Sequence, residues 1–200
     1  MISKDNKNIM VVLSSAAGAG KTTISKKIQQ KFNNFKISIS HTTRKPRANE
    51  VDAVDYFFIT KDKFEKKIKN NEFYEFAKIF NNYYGTSKKS VNDLKNKNFN
   101  ILFDIDWQGT NQLSKYKELN FVKIFILPPN KDELKKRLID RSKGNTESIE
   151  KRLSSYDEDK HHWNEYDYIL INDNLENCFS QIVKIIEKEL NKFNLPTHNS

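Results

Sequence analysis

The chain has 200 residues and a mass of 23.6 kDa, enough for one compact domain with small inserted subdomains, and its 12% aromatic content excludes a disordered chain. A formal charge of +9 and a pI of about 9.4 arise from lysines spread over nearly every segment, not from an arginine-rich stripe, which favours anionic small molecules and argues against nucleic acid. No run approaches the roughly 18 apolar residues of a membrane span and no apolar signal segment opens the chain, so a cytoplasmic protein without a membrane partner is expected, as monomer or homo-oligomer alike.

An apolar β-type run over residues 9–13 breaks into small residues, passes Gly18 and Gly20, and starts a helical pattern at Lys21-Thr22. Against the phosphate-loop pattern Gly-x4-Gly-Lys-Ser/Thr, Ser15 replaces the first glycine while Gly20-Lys21-Thr22 are intact. Ala17, Gly18, Ala19, Gly20, Lys21, Thr22 and Thr23 would then turn backbone N–H groups around phosphates at a helix N-terminus. Lys21 would reach the outer phosphates and the Thr22 hydroxyl would ligate a magnesium ion. The alternative is an ordinary small-residue turn between a strand and a helix.

Residues 21–32 read as the helix that follows, with Ile24, Ile28 and Phe32 at helical spacing. A short alternating strand at 35–40 runs into Ser40-His41-Thr42-Thr43-Arg44-Lys45-Pro46-Arg47. Its hydroxyls and two arginines suit a phosphate grip, although a solvated basic turn has the same composition. A strand at 55–59, a helix at 61–71 capped by Thr60, and a β-rich stretch at 73–80 complete a strand-rich insertion. Residues 99–106 form a buried strand ending in Asp104 and Asp106. At the carboxyl end of such a strand, Asp104 is a candidate for the magnesium and Asp106 for a substrate. Either could instead merely cap the next helix.

Another core strand at 121–127 precedes a helix at 130–141 carrying Arg137 and Arg141. After Ser142-Lys143-Gly144-Asn145-Thr146, a helix from 148 carries Ile149, Leu153 and Tyr156 on one side and Arg152 on another. Two short helices with a glycine joint suggest a mobile lid over phosphates, and a solvated helix pair is the plainer alternative. The last strand spans 166–171 and ends at Asn172-Asp173, and an amphipathic helix from 174 to about 192 closes the chain with Cys178 on its apolar face. That thiol reads as core, with no disulfide framework. The four histidines show no metal-ligand pattern and are expected at the surface.

Taken together, these segments resemble the guanylate kinase family over nearly the whole chain. The likeness lies in the phosphate loop, in Ser40 to Arg47, Asp55-Tyr56-Phe57-Phe58, Asn71 to Ala77, Asn82-Tyr83-Tyr84-Gly85-Thr86, Ile105-Asp106-Trp107-Gln108-Gly109, Leu134 to Leu138 and Ser148 to Leu153. The resemblance implies an α/β fold, a three-layer parallel sheet with the phosphate loop, divided into core (1–39), GMP-binding insertion (40–90), core (91–136), lid (137–152) and core (153–200). It implies transfer of the γ-phosphoryl group of ATP to GMP, and to dGMP, with Mg2+; the alternatives are a non-catalytic binding module of the same likeness or a related kinase with another phosphorylated acceptor.

By the same resemblance, Arg44, Arg47, Tyr56 and Tyr84 match positions that bind the GMP phosphate, and Ser40, Glu75, Thr86 and Asp106 those around guanine. Guanine offers N1–H and N2–H2 as donors, which a carboxylate such as Glu75 accepts, whereas adenine lacks that pair. Lys21, Arg137, Arg141 and Arg152 match groups around the transferring phosphoryl, and Asn172 a position near the adenine of ATP. Two departures stand out. The usual Gly-Pro-Ser-Gly opening is Ser15-Ala16-Ala17-Gly18, which lacks the hydroxyl at Ala17, and His41 replaces a small or hydroxyl residue.

Overall fold

The computed structural model describes residues 8–16, 18–142 and 146–194, leaving aside the side chains of 141, 142, 147, 148, 193 and 194. Its strands are β1 (Met10–Ser15), β2 (Phe35–Ile37), β3 (His41–Thr42), β4 (Phe57–Phe58), β5 (Phe73–Ile79), β6 (Asn82–Ser87), β7 (Asn100–Asp104), β8 (Phe121–Leu127) and β9 (Tyr168–Ile171). Its helices are α1 (Lys21–Lys31), α2 (Lys61–Lys69), α3 (Lys88–Asn96), α4 (Trp107–Leu113), α5 (Lys131–Ser142), α6 (Thr146–His161) and α7 (Leu175–Asn194).

Five strands pair in parallel in the order β2-β7-β1-β8-β9. The near-continuous apolar reading of β1, β7 and β8 follows from this, because a central parallel strand is buried on both faces. Along β1 the alternation splits the core in two. Val11 and Leu13 face α1 and α7 through Ile24, Ile28, Cys178, Ile182 and Ile186, while Met10 and Val12 face α3 and α4 through Val91 and Leu113. Each fully buried Ile or Leu contributes roughly 1.5–3 kcal/mol, so these two apolar layers outweigh any surface ion pair in holding the sheet. The chain runs from β1 to β2 on one side of the sheet and later crosses from β7 past β1 to β8 on the other, which makes the carboxyl end of β1 the point where a ligand crevice opens.

A second sheet, β4-β3-β6-β5, is built from residues 41–87. It is held by aromatic rings: Phe64 of α2 lies between Phe73 and Tyr83, with centroids 4.6 and 5.2 Å away. His41, expected at the surface, is instead buried in this layer, 4.8 Å from the Phe57 ring and 5.6 Å from Phe73. Burial pushes its pKa down to about 4, with the Lys67 charge adding to the effect. It therefore packs as a neutral ring within this aromatic layer. The α3 helix escaped the sequence reading because its polar run offers only Val91 and Leu94 as an inward face, although Ser87 caps it by accepting from the Ser90 N–H at 3.1 Å. Among the described residues, no helix is long and apolar enough to cross a membrane.

One backbone position in the loop before β4 is strained. Ala53 is exposed and has φ 60°, a left-handed conformation that costs an L-residue on the order of 1 kcal/mol while glycine adopts it freely. Ala53→Gly is expected to stabilise the protein by roughly 0.5–1 kcal/mol, measured as a raised thermal midpoint. A lowered midpoint would mean that the loop gains nothing from relief of this backbone strain.

Candidate functional site

A cavity of about 630 Å³ opens at the carboxyl end of β1, lined on one side by Ser15, Ala16, Gly18, Gly20, Lys21, Thr22 and Thr23. Gly18 and Gly20 have φ of 99° and 97°, values that non-glycine residues rarely adopt. Space is a second constraint. A Cβ on Gly18 would meet the Leu134 and Leu138 side chains of α5 at 2.9 and 3.0 Å, and one on Gly20 would meet the Asn172 amide at 2.5 Å. Ala17 lies outside the described residues.

Lys21 begins α1 and points back across the sheet end. Its Nζ pairs with Asp104 Oδ1 at 2.9 Å and donates to the Ile105 carbonyl at 2.9 Å. Burial alone would lower its pKa, but the charges of Asp104 and Asp106 outweigh it and the net shift is upward. The ammonium thus stays charged while aimed at the cavity. Thr22 and Thr23 expose their side chains on the same wall.

Asp106 is a helix cap and also lines the cavity. Its Oδ1 caps α4 by accepting from the Gly109 N–H at 2.9 Å, its Oδ2 accepts from Gln108 at 3.2 Å, and the residue lines the cavity. Burial raises its pKa, against those donors and the Lys21 charge. Asp104 caps no helix among the described residues, and its Oδ1 pairs with Lys21. Hard oxygen donors at Thr22 and Asp104 suit Mg2+, which takes one or two protein ligands and fills its shell with phosphate and water. Among the described residues there is no group of three or more His, Cys, Asp or Glu able to hold a metal unaided.

Glu75 is 3% exposed, and among the described residues no ion pair neutralises it. Burial, reinforced by Asp106, pushes its pKa up to about 7 against the pull of Thr86 and Lys21. Opposite it in the β5–β6 ladder stands the buried Thr86, whose hydroxyl and backbone face the carboxylate and favour its charged form. A bulge between Phe73 and Glu75 sets the carboxylate's direction. The Gln112 side chain of α4 then ties β5 in place, accepting from the Phe76 N–H at 3.1 Å and donating to the Phe76 carbonyl at 2.7 Å. Ser40 is nearly buried beside β3.

Arg44 and Arg47 converge on one carboxylate that the sequence reading passed over. Glu50 Oε1 accepts from Arg44 at 2.8 Å and from the Arg47 guanidinium at 3.4 Å, while its Oε2 accepts from the Arg47 N–H at 2.8 Å. Burial would raise the Glu50 pKa, but these donors hold it below the usual value. Arg44 lies over the Tyr56 ring at 5.5 Å, Tyr56 meets Tyr84 edge-on at 6.0 Å, and the buried Arg44 Nε has no partner. An unmet guanidinium donor beside two tyrosines is chemistry suited to a phosphate oxygen.

On the far wall stand Lys78, Ile79 and Phe80 from the β5–β6 hairpin, Arg137 from α5, and Ser155, Glu158 and Asp159 from α6. Arg137 donates to Glu133 at 3.0 Å and to the Asn172 carbonyl at 3.0 Å. Arg152 is half-buried on α6 and is not part of this lining, Arg141 is on α5 with its side chain outside the described residues, and the joint at 143–145 also falls outside them. Asn172 is 3% exposed, donates to the Ala19 carbonyl at 2.8 Å, and leaves Oδ1 unpartnered. It lies beneath the loop and braces it. Asp159 was missed by the sequence reading. Burial together with the nearby Asp106 charge raises its pKa to about 7, and its only sequence signal is its place two helical turns beyond Arg152.

With this geometry in hand, the likeness to known proteins is specific. The sequence model of guanylate kinase matches residues 7–189. The guanylate kinase of Rickettsia bellii is 48% identical over 189 residues, covering 94% of this chain and 98% of that one. That of Novosphingobium aromaticivorans is 42% identical over 183 residues, covering 92% and 83%. The crystal structure of guanylate kinase from Anaplasma phagocytophilum superposes with a TM-score of 0.75 at 30% identity, covering 92% of this chain and 86% of that one. The SH3-kinase fragment of tight junction protein 3, with a TM-score of 0.54 at 10% identity, shares the fold alone. A family match over residues 7–189, a relative 48% identical over nearly its whole length and a shared fold lead to one conclusion: this chain belongs to the guanylate kinase family.

Proposed function

We propose that the protein transfers the γ-phosphoryl group of ATP to GMP, giving ADP and GDP, in the cytosol. The observation that carries the reading is the buried Glu75 carboxylate, unpaired with any cation among the described residues and facing the buried Thr86 hydroxyl across the β5–β6 ladder. It supplies acceptors for the N1–H and N2–H2 of guanine, and the hydroxyl is a donor for O6. Asp106 joins the base side, Ser40 lies at its edge, and Arg44 and Arg47 with Tyr56 and Tyr84 take the acceptor phosphate. Glu50 keeps both guanidinium groups converged until that phosphate competes for them.

ATP lies with its phosphates in the loop, held by the backbone N–H groups of residues 17–23 and by Lys21. Asn172 supports the loop from below. Thr22 and Asp104 would hold Mg2+, which would supply neutralisation of phosphate charge. Arg137 on the cavity wall, with Arg141 and Arg152 brought in as α5 and α6 close as a lid, stabilises charge on the transferring group. The segments 40–90 and 137–152 act as the acceptor and lid units around the core.

The test is phosphoryl transfer from ATP across a panel of monophosphates. GMP and dGMP are expected to exceed AMP, CMP and UMP in kcat/KM by at least about 10³-fold. Comparable turnover of AMP would overturn the reading of Glu75.

A further inference from the structure

Gly109 occupies the first turn of α4, outside the two glycines with positive φ. Backbone conformation therefore gives no reason for it, and glycine is among the poorest helix formers. Space does give a reason. A Cβ built on Gly109 would lie 2.5 Å from Glu75 Oε2, 3.1 Å from Glu75 Cδ and 3.4 Å from the Ile105 Cβ. No carboxylate oxygen tolerates a carbon at the first of these distances. The backbone cannot yield easily, because the Gln112 amide makes two hydrogen bonds to Phe76 and fixes β5 against α4. The yielding part is the carboxylate itself, the far end of a flexible side chain. The Gly109 N–H meanwhile donates to the capping Asp106 Oδ1 at 2.9 Å, so one residue touches both acids at the base end of the acceptor site.

We propose that Gly109 is a specificity-determining position, whose bare Cα lets the Glu75 carboxylate lie against α4 beside Asp106 in the place from which it reads the acceptor base. The inference rests on the reading of Glu75 as the group that accepts from guanine. It predicts a substitution that folds well and misreads its substrate. Gly109 touches no substrate and acts through Glu75.

The experiment compares Gly109→Ala, Glu75→Ala and the double variant, measuring kcat and KM for GMP and for IMP, which lacks the 2-amino group, with KM for ATP and the thermal midpoint. Gly109→Ala is expected to lose about 30-fold in kcat/KM for GMP, nearly all in KM, and to narrow the preference for GMP over IMP about tenfold. KM for ATP should stay within about twofold, since the loop is untouched. In the Glu75→Ala background, adding Gly109→Ala should cost no more than about twofold further and should raise the thermal midpoint, because alanine is then simply the better helix former. Full additivity of the two losses, or a GMP preference kept by Gly109→Ala while Glu75→Ala abolishes it, overturns the inference alone. A GMP preference that survives Glu75→Ala overturns the guanine reading and the inference with it.

Discussion

Lys21→Met is expected to lose roughly 10³-fold in kcat, with a much smaller change in KM for ATP. The ammonium is already aimed by Asp104 Oδ1 at 2.9 Å and the Ile105 carbonyl at 2.9 Å, so it stabilises developing phosphate charge without having to reorganise. An interaction that strengthens toward the transition state appears in kcat more than in binding. Folding should survive, because the Asp104 side chain left behind is 21% exposed and water can solvate it. Lys21→Arg should not rescue the activity, since a planar guanidinium does not fit where a compact ammonium makes two contacts at the end of β7. The neighbouring carboxylates hold the Lys21 pKa above its ordinary value, so no limb of the kcat profile near neutral pH belongs to it. Stopped-flow and steady-state turnover at saturating ATP and GMP test this, and a kcat within tenfold of the parent would remove Lys21 from the chemistry.

What could be read from the chain was whatever repeats at short range. The period of the strands, the helical spacing of Ile24 and Ile28, and the loop glycines with their lysine each lie within a dozen residues, and all fall in the sheet, α1 and the cavity wall. The residues that escaped owe their roles to partners distant in sequence. Glu50 matters because Arg44 and Arg47 fold back onto it, and Gly109 because β5 crosses α4. His41 deceived because a titratable ring in a polar octapeptide reads as surface, whereas three-dimensional packing placed it among Phe57 and Phe73. Asp106 was legible only as a choice between a cap and a site. Geometry shows the cap and a place at the cavity edge together, since a short side chain at a helix start can cap with one oxygen and still stand at that edge.

Glu75→Gln is expected to make the free protein more stable and the enzyme far worse. The shape is kept, but the amide nitrogen presents a donor where guanine presents donors. Leaving two buried donors poorly met costs about 4 kcal/mol, or roughly 10³-fold in kcat/KM for GMP. The stability change runs the other way. Burial raises the folded pKa of Glu75 from 4.5 to about 7, so the folded state binds more protons than the unfolded state above the unfolded pKa. Stability from this group is present below about pH 4.5 and is lost as pH rises through about 7. At pH 8 the loss amounts to about 3 kcal/mol, which glutamine does not suffer. The thermal midpoint of Glu75→Gln should therefore exceed that of the parent by several degrees at pH 8 and converge with it near pH 4. Asp159, also raised to about 7, has the same sign but remains in both proteins and largely cancels from the difference. In the parent, kcat/KM for GMP should fall about tenfold per pH unit below 7 as Glu75 protonates, and this dependence should flatten in Glu75→Gln. Paired melting curves and pH–rate profiles decide the matter. A variant no more stable at pH 8, with its GMP turnover intact, would mean that Glu75 is neither a strained charge nor the reader of the base.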